Sequence, residues 1–255
     1  MATSSPTDLI DAIEDVLQVT LDLARALDDA DGERPTDCPG WTVKDQLSHM
    51  VGLEQVQNGA PAPTIELPPF DHVVNDFDIY MEKIVHIRRD LPLAAIADEL
   101  AGLLPRRVAR LRDLAAEGDP DVLGPFGMRP LSATLPIRVF DLWAHEQDIR
   151  RALGLPARTS GSAAEVALGR ALMAWTATLP KKVTGVNGQL MIEVTGPTRS
   201  VTTLTFGSGG PSAQLKGDLG MLTWLGCGRG TADGTVLDGD PAVVAAVASH
   251  LGFTP

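Results

Sequence analysis

Residues 138–155 read RVFDLWAHEQDIRRALGL, and they predict a helix that carries most of the candidate functional residues of the first domain. Asp141 and His145 are four positions apart, and Asp148 follows three positions later. On a helix, these spacings place the three side chains on one face. Many of the neighbouring residues are apolar, which predicts a largely buried helix. A buried carboxylate needs a partner, because an unpaired charge in a protein interior is costly.

A further histidine comes from an upstream segment, CPGWTVKDQLSHM, which also predicts a helix. Thr42 stands at the N-cap position, and Asp45 three residues later completes the pattern of a capping box. This helix carries His49. A catalytic zinc site typically has three histidine or carboxylate ligands and keeps a fourth position open. The set that matches this count is His49, Asp141 and His145.

The same residues have a plainer interpretation, which the sequence leaves open. Asp141 could form an ion pair with Arg138 or with Arg107, and His145 could be an ordinary core histidine. A D-x-x-x-H pair on one helix is by itself a weak signal of a metal site.

Asp148 also has two interpretations. It could accept a hydrogen bond from His145 and orient that ring from behind a metal. It could instead form a salt bridge with Arg151 or Arg112. Three other histidines lack comparable neighbours in sequence, so we expect them to be structural or exposed. They are His72, His86 and His250.

Arg229, in the segment LGCGRG, is a candidate for substrate binding. The flanking glycines allow the backbone to approach another surface closely, and the arginine side chain can present a planar fork to a carboxylate. The alternative is a loop arginine that binds no ligand.

Composition limits the classes of function. The chain has 255 residues, 44% of them hydrophobic and 21% charged, as in a soluble globular protein of one large or two modest domains. The net charge of −12 argues against nucleic acid as the main partner. The sequence contains neither a signal-peptide pattern nor the run of about 18 apolar residues that crosses a bilayer, so we expect a cytoplasmic protein without a membrane partner. Cys38 and Cys227 form no CxxC pair and are expected to be inert thiols.

Hydrophobic periodicity predicts five long helices before residue 156. We expect them over residues 8–29, from 42 onward through His49, and over 71–89, 93–116 and 131–153. The proline-rich residues 58–70 predict a loop, which could be a lid, a wall of a site or a plain connection. Residues 117–130 are expected to be a loop as well. In helical bundles, metal sites form between inward side chains of facing helices.

After residue 156 the pattern changes. It predicts a helix over residues 162–179, a hairpin over 188–197 and 200–207, a third strand over 212–217, a short helix over 218–228, a strand or turn over 234–239 and a closing helix that begins at Asp240 and Pro241. The expected fold class is therefore α+β. Residues 1–156 would form an antiparallel helical bundle, and residues 157–255 a small α+β domain.

Two of these motifs resemble those of a known family. CPGWTVKDQLSHMVG is similar to a signature of the DinB-like metalloenzymes and, more closely, of the mycothiol-dependent maleylpyruvate isomerase family. RVFDLWAHEQDIRRALG resembles the second signature of that family, an acidic residue four positions before a histidine, followed by D-x-R. The segments LTWLGCGRG and VLDGDPAVVAAVASHLGF are similar, more loosely, to its C-terminal lobe, which is related to sterol-carrier-like α/β folds.

The resemblance implies a site. His49, Asp141 and His145 would bind a divalent metal, with zinc expected, and Asp148 would orient His145. Arg229 matches a position that the family places near the substrate, which makes it the expected binding residue for substrate and cosubstrate. The family often has glutamate where this chain has Asp141. Because the aspartate side chain is one methylene shorter, the distance to the metal, the metal affinity and the identity of the metal could differ from those of the family.

The resemblance also implies an activity. The protein would be a transferase or a cis–trans isomerase that depends on a metal and a thiol, in which a metal-bound thiolate of mycothiol, or of another small thiol, attacks a small electrophile. An actinobacterial source would follow. Two alternatives remain. One is a non-catalytic protein of the same fold that binds a small molecule or lipid, and the other is a structural module whose histidine and aspartate residues form core ion pairs.

Overall fold

The computed structural model of the protein describes residues 4–124 and 127–254, which form helices and two small sheets. The chain divides into two units, residues 1–156 and residues 157–255. The mixture of helix and sheet that the sequence predicts is confirmed. Among the described helices, none combines the length and the apolar character that crossing a membrane would require.

The described part of the first unit is mainly helical. Its helices are α1 (Pro6–Arg25), α2 (Asp29–Gly32), α3 (Val43–Gln57), α4 (Asp76–His86), α5 (Leu93–Ala116) and α6 (Leu131–Ala152). The predicted bounds of α5 are confirmed, and α6 ends within one residue of its predicted end.

Two helices begin or end away from the predicted residues, and local capping explains both differences. The first helix ends at Arg25, because Asp28 then caps the separate short helix α2 by accepting a hydrogen bond from the Asp31 amide. The helix predicted from residue 71 begins only at residue 76, where the Asn75 side chain accepts hydrogen bonds from two backbone amides of the first turn.

Helices α3 and α6 form the middle of the first unit. Helix α3 packs against α4, α5 and α6, while α1 packs against α5 and α6. Most residues of α3 and more than half of those in α6 are buried, including polar ones. Because a buried polar side chain needs a hydrogen-bond partner, the buried polar residues of α3 and α6 pair with one another or with neighbouring segments.

The prediction of a plain loop over residues 117–130 is wrong. The segment contains two short antiparallel strands, β1 (Asp121–Gly124) and β2 (Gly127–Pro130). Residues 125 and 126 of this predicted loop lie outside the described residues. Strand β2 is exposed at all four positions, so the hairpin lacks the alternation of buried and exposed residues by which a sequence indicates a strand.

The described part of the second unit combines three helices with one sheet. Its elements are α7 (Ser162–Lys182), β3 (Gly188–Thr195), β4 (Ser200–Phe206), β5 (Ser212–Asp218), α8 (Leu219–Gly226), β6 (Leu237–Gly239) and α9 (Pro241–Ala248). The sheet order is β4-β3-β5-β6, in which only the β3–β5 pair is parallel.

The predicted hairpin, third strand and closing helix are confirmed. Alternate residues of β3 are buried, as the sequence pattern requires. Asp240 caps α9, and Pro241 occupies its first turn. Helix α7 continues three residues past its predicted end at position 179, since Pro180 is accommodated in its last turn.

Candidate metal centre

Helices α3 and α6 bring together the three residues that the sequence singles out as metal ligands. One potential ligand atom from each of His49, Asp141 and His145 lies within 4.8 Å of the others. The His49 Nε2 atom is 3.3 Å from Asp141 Oδ2, and the His145 Nε2 atom is 3.7 Å from Asp141 Oδ1. Both imidazoles therefore direct the same ring nitrogen towards one carboxylate.

The capping box predicted at the start of α3 is confirmed. The Asp45 amide donates to Thr42 Oγ1 at 3.3 Å, and the Thr42 amide donates to Asp45 Oδ2 at 3.0 Å. Seven residues after the cap, about two helical turns, His49 faces α6. On α6, the i, i+4 spacing places Asp141 and His145 one turn apart on the side that meets α3.

The cluster is buried on the histidine side and partly open on the aspartate side. His49 is 3% exposed and His145 7%, whereas 30% of the Asp141 side chain is exposed. The Trp41 ring lies beside both imidazoles, with centroid distances of 5.1 Å to His49 and 5.9 Å to His145. A small ligand could therefore reach the cluster past the carboxylate.

The surroundings of each group set its protonation. Burial, reinforced by the nearby His145, lowers the pKa of His49 to about 4, so that its ring is neutral near neutral pH. Burial would raise the pKa of Asp141, but Arg138 and His145 outweigh burial and hold that pKa well below its ordinary value. Burial would lower the pKa of His145, but the Asp141 carboxylate outweighs it, and the net shift is upward.

A buried chain of charges leads to Asp141 from the interior. Arg107 Nε donates to Glu54 Oε2 at 2.5 Å, and Arg138 donates to Glu54 Oε1 from Nε at 3.0 Å and from Nη2 at 2.7 Å. Arg138 Nη1 then donates to Asp141 Oδ2 at 2.7 Å. Of the two ion pairs considered for Asp141, the structure therefore shows the pair with Arg138, while Arg107 binds Glu54.

The interpretation of the sequence missed Glu54, which is fully buried. The available signal was an acidic residue directly after Leu53 and two positions before Val56, on a helix whose sequence predicts burial. Burial would raise the pKa of Glu54, but the guanidinium groups of Arg107 and Arg138 outweigh it and hold that pKa below its ordinary value.

The second ring nitrogen of His145 faces away from the cluster. Its Nδ1 atom lies 2.5 Å from Gln46 Oε1 and 3.6 Å from Asp148 Oδ2. Gln46 was also missed, although it precedes His49 by three positions and so shares its helix face. Asp148 lies near the nitrogen that it was expected to orient, but Gln46 is closer. The orienting role of Asp148 stays a prediction.

Both arginines considered as alternative partners of Asp148 lie near other carboxylates. Arg112 binds Asp11 and Glu14 on α1, and Arg151 lies 3.8 Å from Asp37.

The residues of the cluster fit a divalent metal. Two imidazole nitrogens and one carboxylate are the ligand set of many catalytic zinc sites, and the Asp141 oxygen facing His145 is distinct from the one that Arg138 holds. One feature departs from the usual pattern. His49 Nδ1 is buried without a hydrogen-bond partner among the described residues, whereas metal-binding histidines usually donate from the second nitrogen.

The end of the proline-rich segment is fixed beside Trp41. His72 Nε2 lies 3.0 Å from the buried Glu82 Oε2, which also accepts a hydrogen bond from Trp41 Nε1 at 3.1 Å. Gly40, with a φ of 75°, packs so closely on the His72 ring that a Cβ atom at position 40 would lie 2.1 Å from it. The residues that follow this loop therefore support Trp41, and His72 has the structural contacts expected of it.

Arg229 belongs to the second unit, just after α8, and its side chain is half-buried. Its Nη1 atom donates to the Cys227 carbonyl oxygen at 3.3 Å. The predicted close approach of a flanking glycine occurs at Gly230, where a Cβ atom would lie 1.9 Å from the Trp224 ring. The expected role of Arg229 in substrate binding stays a prediction.

Comparison with known proteins identifies the family to which the chain belongs. Residues 13–150, more than half of the chain, match the sequence model of the family described as "Mycothiol maleylpyruvate isomerase N-terminal domain". The match includes all three residues of the cluster. No curated protein sequence matches the chain significantly.

Two solved structures resemble the protein. One is titled "Crystal structure of the mycothiol-dependent maleylpyruvate isomerase", with a TM-score of 0.65, and the other is a point mutant of that enzyme, with a TM-score of 0.64. In both cases the identity is 16%, and the match covers 95% of this chain and 97% of the other. At this identity the likeness concerns the fold alone.

Proposed function

Because the chain belongs to the mycothiol maleylpyruvate isomerase N-terminal domain family, we propose that it is a thiol-dependent isomerase or transferase with its reaction centre at His49, Asp141 and His145. Membership indicates a thiol-dependent isomerase only at the level of the family. The observation that carries the finer proposal is the convergence of two imidazole Nε2 atoms and a carboxylate, all within 4.8 Å, beside a partly exposed edge.

His49, Asp141 and His145 would hold a divalent metal, with zinc expected. When bound, such an ion stabilises the deprotonated form of a coordinated thiol, and so makes the thiol a nucleophile at neutral pH. His49 is suited to this role because its low pKa, about 4, keeps the ring neutral and its lone pair available. Asp141 is suited because Arg138 keeps it ionised.

The surrounding residues keep this arrangement in place. Arg138, held in turn by Glu54, fixes the orientation of the Asp141 carboxylate. Trp41 covers the imidazoles and excludes water from that side. We further propose that Arg229 binds a carboxylate of the substrate, because its planar guanidinium group can donate two hydrogen bonds to one carboxylate.

The substrate class follows from the thiol chemistry. The sulfur of mycothiol, or of another small thiol, would add to the electron-poor double bond of a small electrophile. Rotation about the resulting single bond and expulsion of the thiol would give cis–trans isomerisation. Retention of the new carbon–sulfur bond would give a conjugate, and the protein would then be a transferase.

The decisive test is elemental analysis of the untagged protein, purified without added metal, beside His49→Ala and the control His250→Ala. We expect near-stoichiometric metal in the wild type and in the control, and its loss in His49→Ala. The wild-type protein can then be substituted with cobalt and titrated with a small thiol. Its absorption spectrum should show coordination of the metal by sulfur.

One observation favours a second candidate, a structural role. Asp141 already has a charged partner in Arg138, as a core ion pair would. In that case neither the wild type nor His49→Ala would contain or take up metal, and the substitution would change only the melting temperature. The comparisons do not favour the alternative of a non-catalytic binding protein.

A further inference from the structure

A chain of three hydrogen bonds runs from the segment before α3 to the side of His145 that faces away from the cluster. We propose that Gln46, oriented by Thr36, is a positioning residue that makes Nε2 of His145 the nitrogen available to a ligand. This inference rests on the proposed function, since it concerns how one ligand of the metal is prepared.

The direction of the first hydrogen bond is fixed by chemistry. Thr36 Oγ1 lies 2.8 Å from the Trp41 carbonyl oxygen, which can only accept, so the hydroxyl proton points at Trp41. The hydroxyl oxygen is left as an acceptor. It receives the Cys38 amide at 3.3 Å and Gln46 Nε2 at 2.8 Å. The NH₂ group of Gln46 must therefore face Thr36.

With its NH₂ group held by Thr36, Gln46 turns its oxygen towards His145. Gln46 Oε1 is 2.5 Å from His145 Nδ1, and because a carbonyl oxygen cannot donate, Nδ1 must carry the proton. Nε2, on the side of Asp141 and His49, is then the nitrogen whose lone pair can bind a metal. A flipped amide would instead place NH₂ against Nδ1 and move the proton to Nε2.

Burial stabilises this arrangement of hydrogen bonds. Gln46 is fully buried and His145 is 7% exposed, so bulk water does not compete for the hydrogen bond between them. Thr36 belongs to the segment before α3, and its hydroxyl group hydrogen-bonds to Gln46, Cys38 and Trp41. A residue outside the proposed ligand set should therefore control the affinity for the metal.

The test is a double-mutant cycle on the full-length protein, with zinc affinity measured by competition with a chromophoric chelator. Thr36→Val keeps the shape of the side chain but frees the Gln46 amide to flip, and we expect roughly a 10-fold loss of zinc affinity. Gln46→Glu presents an acceptor in either orientation. In that background, Thr36→Val should change zinc affinity by less than about twofold.

Thr36→Ser, which keeps the hydroxyl group, should retain the zinc affinity of the wild type and serves as the conservative control. A purely structural role of Thr36 in the turn before α3 would cost the same zinc affinity with and without Gln46→Glu, and that result would overturn the proposal. So would an unchanged affinity in Thr36→Val, because another acceptor such as Asp148 would then suffice.

A second readout does not need a metal. In metal-free protein with ¹⁵N-labelled histidine, at a pH high enough for the His145 ring to be neutral, we expect a slowly exchanging proton on His145 Nδ1 in the wild type and Thr36→Ser, and its loss in Thr36→Val. If the wild type binds no zinc but shows this proton, the proposed function fails while the positioning by Gln46 stands. If zinc binds but the proton is absent, the positioning role fails alone.

Discussion

Two groups of polar residues lie next to each other in the first unit, on helices α3, α5 and α6, and they meet at Asp141. The first is the charge chain of Arg107, Glu54 and Arg138, and the second is the cluster of His49, Asp141 and His145. In the chain, each charged group faces an opposite charge at hydrogen-bond distance. In the cluster, two ring nitrogens face one carboxylate at 3.3 Å and 3.7 Å, at or beyond the limit of a good hydrogen bond.

The difference shows how a structural network can be distinguished from a site. A buried network whose members satisfy one another stabilises one arrangement of helices and leaves no atom for a ligand. Groups that converge on one region with only long contacts between them, beside a partly exposed carboxylate, have ligand atoms that a metal could draw together. Substitutions at Glu54 and at Asp141 should distinguish the two groups, because they remove different interactions.

Glu54→Gln should have the largest effect on stability. It leaves the buried Arg107 guanidinium without its carboxylate partner and Arg138 with Asp141 alone, and removing one partner of a buried ion pair typically costs about 3–5 kcal/mol. Urea unfolding should show this loss. The exposed pair of Arg112 with Glu14 offers a matched control, since Glu14→Gln should cost less than about 1 kcal/mol. Equal losses for both variants would contradict the structural role of the chain.

Asp141→Asn should affect both groups, but the first only modestly. Arg138 keeps Glu54 as a partner and the Asp141 side chain is 30% exposed, so we expect a loss of about 1 kcal/mol in the free energy of unfolding. Metal content should fall sharply, because an amide oxygen is a much poorer zinc ligand than a carboxylate. Retention of metal in this variant would exclude Asp141 from the ligand set.

The smallest effect concerns pH. The pKa of Glu54 in the folded protein lies below its ordinary value of 4.5, so its ionisation stabilises the fold fully above that pH. The contribution is lost as pH falls from about 4.5 through the lower folded pKa. Stability measured between pH 7 and pH 3 should therefore decline less steeply for Glu54→Gln than for the wild type. A slope unchanged by the substitution would contradict the depressed pKa.

Much of the local structure could be predicted because it depends on residues close in sequence. The capping box of α3 joins residues three positions apart, and the bounds of α5 follow from its apolar periodicity and the preceding proline. The pairing of β1 with β2 could not be predicted, because these strands are too short and too exposed to show alternation. The ligand-type residues of the cluster were also found in advance, since histidines and carboxylates on a buried face are uncommon.

The partners of those residues could not be predicted in the same way. Gln46 binds His145 across 99 positions, and Glu54 binds Arg138 across 84. The sequence left open whether Asp141 would pair with Arg138, with Arg107 or with a metal, and it assigned the orientation of His145 to Asp148 alone. In the structure, Asp141 is shared by the charge chain and the cluster.

By itself, the sequence determined the faces of α3 and α6 on which the polar residues lie, because a helix places residues three and four positions apart on one side whatever surrounds it. It also determined which side chains could serve as metal ligands. Only the tertiary structure decided which of them meet. The contact between two helices depends on their relative rotation and translation, and those are set by the packing of the whole core, not by the period of either helix.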